Sequence, residues 1–169
     1  AVSIAQTLKD SGRESQALLA LGKAYHALNQ TDQAVQNLTK ARDLAKQAQD
    51  SVLEGQIVTE LAKVYRDAKQ LDQAVTTFTD AATLAQAADD QTQQAKMLAE
   101  LGKTYAEASK PDQALQSYND ALALARTAGV PDLEGKLLIE LAAFQQASGQ
   151  PEQSLQSYQT ALAVAQKNQ

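Results

Sequence analysis

Residues 91–130 read QTQQAKMLAELGKTYAEASKPDQALQSYNDALALARTAGV, and this stretch decides the fold because it contains two helical patterns separated by a break. Apolar residues recur at spacings of three and four in both halves, which predicts two amphipathic helices. The first is expected over about 93–108, with an apolar face made of Met97, Leu98, Leu101 and Tyr105. The second is expected to begin at Pro111, since proline suits the first turn of a helix, and to run to about Thr127.

Helix-breaking residues mark the ends of these patterns elsewhere in the chain. Gly129-Val130-Pro131 follows the second predicted helix, and Gly149-Gln150-Pro151 stands one half-unit later. Earlier in the chain such junctions lack proline. There, Asn29 is expected to adopt the left-handed conformation that ends a helix, and Thr31 is expected to cap the helix that follows.

The whole chain repeats this pattern with a period of forty residues. In the first half of each unit the repeated residues are leucine and then glycine or alanine, namely Leu21, Leu61, Leu101 and Leu141, followed by Gly22, Ala62, Gly102 and Ala142. In the second half a small residue (Ala34, Ala74, Ala114, Ser154) precedes a large one (Leu38, Phe78, Tyr118, Tyr158). The small residues of the two helices are expected to face each other, so that the helices of a hairpin can touch. Since one hairpin cannot bury both of its faces, neighbouring hairpins are expected to stack. The predicted repeats are 11–50, 51–90, 91–130 and 131–169, and residues 1–10 match the end of a truncated preceding repeat.

Composition agrees with an all-α protein and excludes several functions. Aromatic residues make up only 4% of the chain, there is no tryptophan, and alanine, leucine and glutamine, which favour helices, are abundant. The net charge is -5 and no basic cluster occurs, so nucleic-acid binding is not expected. The absence of cysteine excludes disulfides and thiolate metal sites. No apolar run reaches the roughly 20 residues that a membrane-spanning helix needs.

The repeat resembles the tetratricopeptide repeat (TPR) family. The Leu-Gly-x-x-Tyr pattern of Leu21, Gly22 and Tyr25 recurs at Leu101, Gly102 and Tyr105, and the small residues of the second helix follow in both units. The period of forty is similar to the longer-helix variant found in kinesin light chains and in many bacterial signalling arrays. This resemblance implies a right-handed superhelical solenoid of antiparallel helix hairpins. The last repeat departs from the pattern, with Phe144-Gln145 in place of tyrosine and Ser154 in place of alanine.

No motif for catalysis or cofactor binding is present, and the chain is not expected to be an enzyme. His26 is the single histidine, and a solvated groove or hairpin-edge side chain is favoured over a catalytic base, because the chain has no cysteine and no serine or aspartate partner is indicated nearby. Asp89-Asp90 is interpreted as a solvated turn rather than a metal site. The tyrosines occupy repeat positions that predict core packing instead of an aromatic binding ladder; they are Tyr25, Tyr65, Tyr105, Tyr118 and Tyr158. Neither a metal nor a cofactor is expected.

The resemblance implies that a partner binds to the concave face, which the first helices line. The residues at those positions are Gln16, Leu19, Lys23, His26, Gln56, Thr59, Glu60, Lys63, Arg66, Lys96, Ala99, Glu100, Lys103, Glu107, Lys136, Ile139, Glu140 and Gln146. One ladder of lysines (Lys23, Lys63, Lys103) and one of glutamates (Glu60, Glu100, Glu140) run through this set. These ladders either pair with each other on a solvated face or fix an extended peptide through its backbone and carboxylates.

Three functions are compatible with this sequence. The leading hypothesis is a scaffold that binds a peptide or helix of a partner protein in the concave groove. The second is the sensor or regulatory arm of a larger signalling protein. The third is a structural repeat that assembles through its ends, because residues 1–10 and the helix from Ser154 to about Gln166 offer surfaces that match neighbouring repeats. End-to-end self-association is therefore expected at high concentration.

Overall fold

The computed structural model describes residues 11–168, which form eight α-helices and no strand. Each helix has 17 residues, and the helices are α1 (Ser11–Ala27), α2 (Thr31–Gln47), α3 (Ser51–Asp67), α4 (Leu71–Ala87), α5 (Gln91–Glu107), α6 (Pro111–Thr127), α7 (Pro131–Ala147) and α8 (Pro151–Lys167). Short turns connect consecutive helices into antiparallel hairpins, which confirms the predicted all-α class. The predicted end of a preceding repeat, 1–10, lies outside the described residues.

The turns between the described helices share one geometry with a period of twenty residues. The second residue of every turn has a left-handed backbone with φ between 55° and 74°, at Asn29, Gln49, Lys69, Asp89, Ser109, Gly129 and Gly149. The next N–H donates to the carbonyl five residues back, as from Gln30 to Tyr25 at 2.9 Å. This is the hydrogen bond of the Schellman motif. The left-handed conformation predicted at Asn29 is confirmed, and the turn repeats twice as often as the sequence does.

Five of the described helices start with an aspartate cap or a proline, and the predicted threonine cap does not form. The Asp50 and Asp90 carboxylates accept hydrogen bonds from the N–H groups of Leu53 at 2.9 Å and Gln93 at 2.8 Å. Proline opens α6, α7 and α8. The prediction that Thr31 caps α2 is wrong, since Gln30 holds the cap position and its side chain makes no capping hydrogen bond. Because Asn29 is the left-handed residue of this turn, α2 begins at Thr31 itself, one residue earlier than a cap at Thr31 would allow.

Replacing Gln49 with glycine is expected to stabilise the fold by about 1 kcal/mol, because a left-handed backbone costs a residue with a Cβ about 1–2 kcal/mol and costs glycine nothing. Gln49 has φ of 56° and an exposed side chain. Thermal unfolding followed by circular dichroism should show Tm rising by about 2–4 °C. Ala48→Gly is the matched control, since Ala48 is right-handed with φ of -77° and should lose stability instead. An unchanged or lower Tm for Gln49→Gly contradicts the assigned turn geometry.

The chain divides into two compact units, one through Leu84 and one from Ala85 onward. In the first unit, α1 packs on α2 and α2 on α3. Their core contains Leu18, Leu38, Ile57, Leu61 and the alanines of α2. Within the same unit, α4 contributes Phe78, the largest side chain that is fully buried. The Arg66 guanidinium lies 5.5 Å from the centre of the Phe78 ring, so that ring is covered by a cation.

In the second unit, α5 packs on α6, α6 on α7 and α7 on α8. The core joins Tyr118 and Leu122 of α6 to Leu137 and Leu141 of α7. The rings of Tyr118 and Phe144 lie with their centres 5.6 Å apart. Large residues of one hairpin therefore contact large residues of the next, which is the stacking that the repeat predicted.

Glycine allows close approach inside two hairpins, although its neighbour differs from the predicted one. A Cβ added at Gly102 would lie 3.0 Å from two ring atoms of Tyr118, and one added at Gly22 would lie 2.6 Å from Cγ of Leu38. The sequence predicted that small residues of the two helices face each other. Instead, the small residue of the first helix makes room for the large residue of the second, and at Gly22 the Ala34 carbonyl lies 3.5 Å away.

The last hairpin departs from the other three. Tyr158 occupies a core position of the repeat but is 38% exposed, so the prediction that all five tyrosines are core residues is wrong there. The polar substitutions in this hairpin are matched by hydrogen bonds. The Ser154 hydroxyl donates to the Ala142 carbonyl at 2.8 Å, and the Ser157 hydroxyl donates to the Gln145 side-chain oxygen at 2.8 Å. These bonds satisfy groups that burial would otherwise leave unpaired.

Among the described residues, none of the helices is both long enough and apolar enough to cross a membrane.

Candidate functional site

The first helices of the hairpins are α1, α3, α5 and α7, and in the first unit a histidine joins two of them. Nδ1 of His26 in α1 lies 3.0 Å from Oε1 of Glu60 in α3, and Nε2 lies 3.0 Å from Oδ2 of Asp67. Lys63 is 3.7 Å from the other oxygen of Glu60. His26 is therefore held between two carboxylates, and the prediction of a solvated side chain is wrong. Its two carboxylate neighbours lie 34 and 41 residues away, beyond the reach of local sequence patterns.

In the second unit a lysine takes the corresponding role. Lys103 Nζ in α5 lies 3.0 Å from Oε1 of Glu140 in α7 and 3.5 Å from Oε1 of Glu100. The other oxygen of Glu140 is buried and has no hydrogen-bond partner among the described residues. The expected lysine and glutamate ladders thus pair with each other here, and Glu100, Lys103 and Glu140 all line one hollow.

This hollow lies between α5 and α7 and has a volume of about 340 Å³. Its floor is apolar and its rim is charged, and its lining residues are Thr92, Lys96, Ala99, Glu100, Lys103, Val130, Asp132, Leu133, Lys136, Leu137 and Glu140. Lys96 and Lys136 are exposed on the rim, and neither forms an ion pair within residues 11–168. An apolar floor with free cations at its rim suits a peptide that carries both apolar and acidic side chains.

The structure brings some of the predicted partner-binding residues together and leaves others apart. Lys96, Glu100, Lys103, Lys136 and Glu140 surround the hollow between α5 and α7, and His26, Glu60 and Lys63 form the ion-paired cluster of the first unit. Arg66 lies over the Phe78 ring. Leu19 and Ala99 are buried. The remaining residues with exposed side chains are Gln16, Lys23, Gln56, Glu107, Ile139 and Gln146.

Sequence reasoning missed several residues that border these sites. Asp67 contacts His26, and Asp132 and Thr92 line the hollow. Asp132 and Thr92 stand at one position of the forty-residue repeat, early in a first helix. Their shared repeat position could have predicted that Thr92 and Asp132 lie near each other, since residues at one repeat position on consecutive first helices lie side by side in a stack.

A second, larger hollow lies on the last hairpin between α7 and α8. Its volume is about 590 Å³, and its lining is mostly apolar, with Ile139, Tyr158, Leu162 and Val164 among the lining residues. Within residues 11–168, no group of three or more histidine, cysteine, aspartate or glutamate side chains is placed to hold a metal ion.

Comparison with known proteins identifies the family. Two models of the tetratricopeptide repeat match the chain, one over residues 15–47 and the other over residues 55–127, and together they cover more than half of it. The fold class and these matches define an all-helical repeat protein of the solenoid type. The chain belongs to the tetratricopeptide repeat family, as its Leu-Gly-x-x-Tyr pattern indicated. No curated protein matches it in sequence.

Solved structures of similar fold are longer proteins of low sequence identity. Aspartyl phosphate phosphatase F from Bacillus subtilis superposes with a TM-score of 0.85 at 17% identity, covering 99% of this chain and 44% of that one. A putative kinesin light chain from Podospora anserina, described as having nearly identical TPR-like repeats, superposes with a TM-score of 0.80 at 19% identity, covering 99% of this chain and 82% of that one. The Rap conjugation gene regulator of plasmid pLS20, in complex with a Phr peptide, superposes with a TM-score of 0.72 at 22% identity, covering 92% of this chain and 43% of that one. At these identities the likeness concerns the fold, and this chain spans less than half of the first and third proteins.

Proposed function

We propose that this chain is a non-enzymatic protein-interaction scaffold that binds an extended peptide segment of a partner in the hollow between α5 and α7. The single observation that carries the proposal is the composition of that hollow, an apolar floor with two unpaired lysines at its rim. Tetratricopeptide family membership supports it, and so does the fold shared with a regulator whose structure is of a complex with a peptide.

The charges on the hollow favour an acidic group on the peptide. Lys103 is engaged with Glu100 and Glu140, so it offsets one of their two negative charges. Lys96 and Lys136 remain available to a ligand carboxylate, and charge-assisted hydrogen bonds of this kind are roughly twice as strong as neutral ones. The apolar floor, including Leu133 and Leu137, then receives an apolar side chain two or more residues away.

Replacing both Lys96 and Lys136 with glutamate is expected to weaken peptide binding by about tenfold or more, because each change turns an attraction for a carboxylate into a repulsion. A random-peptide library displayed on phage would be selected against the 169-residue chain, and a selected peptide would be measured by fluorescence polarisation. The test variant is Lys96→Glu with Lys136→Glu. Lys63 and Lys103 are less suitable, since each already forms an ion pair whose loss would change the protein itself.

The matched control is Lys23→Glu with Lys167→Glu, which changes the net charge equally at two exposed lysines that form no ion pair within residues 11–168 and do not line the hollow. Both double variants should keep the helical circular dichroism of the parent. Selected peptides should also be enriched in aspartate and glutamate. If the control weakens binding as much as the test variant, or if neither does, binding does not occur in the hollow between α5 and α7.

A further inference from the structure

The end face of the last hairpin, formed by Ile139 of α7 with Tyr158 and Leu162 of α8, is apolar and exposed. Leu162 is 58% exposed, whereas Leu122 at the same repeat position of α6 is 4% exposed. Tyr158 differs from Tyr118 in the same way, since Tyr118 is buried. In the preceding hairpin these positions contact α7, the next first helix. The end face is therefore the surface of a repeat junction, with a hollow of about 590 Å³ where a first helix would lie.

A matching surface lies on α1 at the other end of the described chain. Leu21 is 38% exposed, while its repeat equivalents Leu61 and Leu141 are each 5% exposed. Leu61 and Leu141 belong to cores that include residues of the second helix preceding them, such as Ala41 and Leu122 respectively. The exposed side of α1 is thus equivalent to the side of α3 and of α7 that packs on the second helix of the preceding hairpin. Within residues 11–168, α8 therefore presents a surface like the one that α7 packs against on α6, and α1 presents the matching side of a first helix.

We infer that α1 of one copy docks on the end face of a second copy, so that Leu21 of the first contacts Leu162 of the second in the way that Leu141 meets Leu122 within the chain. The occupant is a second copy of this chain because the surface is shaped for a first helix of the repeat, and α1 is such a helix with its matching leucine exposed. The contact joins unlike surfaces, so it is heterologous and propagates beyond two copies unless a ring closes.

Charge indicates that this junction is weaker than the α2–α3 and α6–α7 junctions. At each of those two a cation near the end of the second helix pairs with a glutamate of the next first helix, at 3.6 Å for Lys46 with Glu54 and at 2.6 Å for Arg126 with Glu134. At the end face the same repeat position holds the neutral Gln166. Association should therefore be reversible and should depend on protein concentration.

Sedimentation velocity of the 169-residue chain tests the inference, with concentration varied from about 10 µM to about 1 mM because self-association follows mass action. The expected result is a weight-average mass that rises above the 18.0 kDa of the monomer. Leu162→Glu and Leu21→Glu should each weaken association by about a hundredfold, since each would bury an unpaired carboxylate at the junction. Val52→Glu is the control, because Val52 is exposed on α3 away from both ends.

Mixing the two end variants gives the sharpest outcome. Each variant alone should be a monomer with unchanged Tm, because each has lost one of the two unlike surfaces. Together they should form a one-to-one dimer and nothing larger, since Leu21→Glu keeps the end face and Leu162→Glu keeps the α1 surface. A wild-type chain that stays monomeric throughout overturns the inference. So does a dimer formed by either variant alone, because that dimer would join like ends around a two-fold axis.

Discussion

Phe78→Ala is expected to lower the free energy of unfolding by about 3–5 kcal/mol, the largest effect of any single substitution proposed for this chain. The Phe78 ring is fully buried, so its removal loses apolar contacts and leaves a cavity that the neighbouring helices fill only in part. It also removes the surface over which the Arg66 guanidinium lies. Thermal unfolding followed at 222 nm should show Tm falling by about 6–20 °C for a chain of this length.

Tyr158→Ala is the matched control for Phe78→Ala because both residues occupy one position of the repeat. Tyr158 is partly exposed on the last hairpin, so its truncation should cost well under half as much. This comparison separates the effect of burial from the effect of repeat position. If Phe78→Ala and Tyr158→Ala unfold at the same temperature, burial does not determine how much this repeat position contributes to stability. Measurements should use dilute protein, so that any association through the end face does not contribute.

Gly102→Leu is expected to destabilise the fold by about 1–3 kcal/mol through overpacking. Even a Cβ at this position would lie 3.0 Å from the Tyr118 ring, and a leucine side chain would have to pass through it. The ring cannot retreat easily, since it is buried and packs against Phe144. Urea unfolding followed by circular dichroism gives the change in free energy, and the slope with urea should stay constant if only stability changes.

Gly55→Leu is the control for Gly102→Leu, because a Cβ at Gly55 meets nothing within 4 Å. Glycine inside a helix costs about 1 kcal/mol relative to good helix formers, so Gly55→Leu should be neutral or stabilising. Opposite signs for the two substitutions would show that close packing on Tyr118, rather than helix propensity, requires glycine at Gly102. An unchanged stability for Gly102→Leu would mean that the hairpin can open at this point without cost.

Much of the fold follows from residues that repeat every forty positions. The hairpin boundaries, the proline starts of the later helices and the burial of Leu38, Phe78 and Tyr118 were all predictable, because local periodicity and recurrence determine them. The geometry of the turns was predicted only at Asn29. At Gln49 and Lys69 the left-handed backbone occurs in residues that rarely adopt it, so the sequence carries no local signal.

The candidate site was predicted less completely than the fold. Register along the first helices correctly grouped Lys96, Lys103 and Glu140, since one helix face recurs in each repeat. It did not show that Lys103 is shared between two glutamates or that His26 bridges Glu60 and Asp67. Those pairings depend on the distance and rotation between helices. Side-chain packing determines both, and the periodicity of the sequence contains no information about either. The exposure of Tyr158 was missed because a repeat position indicates core packing only when a neighbour covers it.

The shared turn geometry has a consequence for how such a chain can change over evolutionary time. Because every helix has the same length and every turn closes with the same hydrogen bond, a duplicated or deleted pair of helices meets its new neighbours through a junction that already exists in the protein. In-frame gain or loss of forty codons therefore creates no unfamiliar loop and exposes no new backbone polar groups. Array length becomes a trait that recombination can alter in single steps.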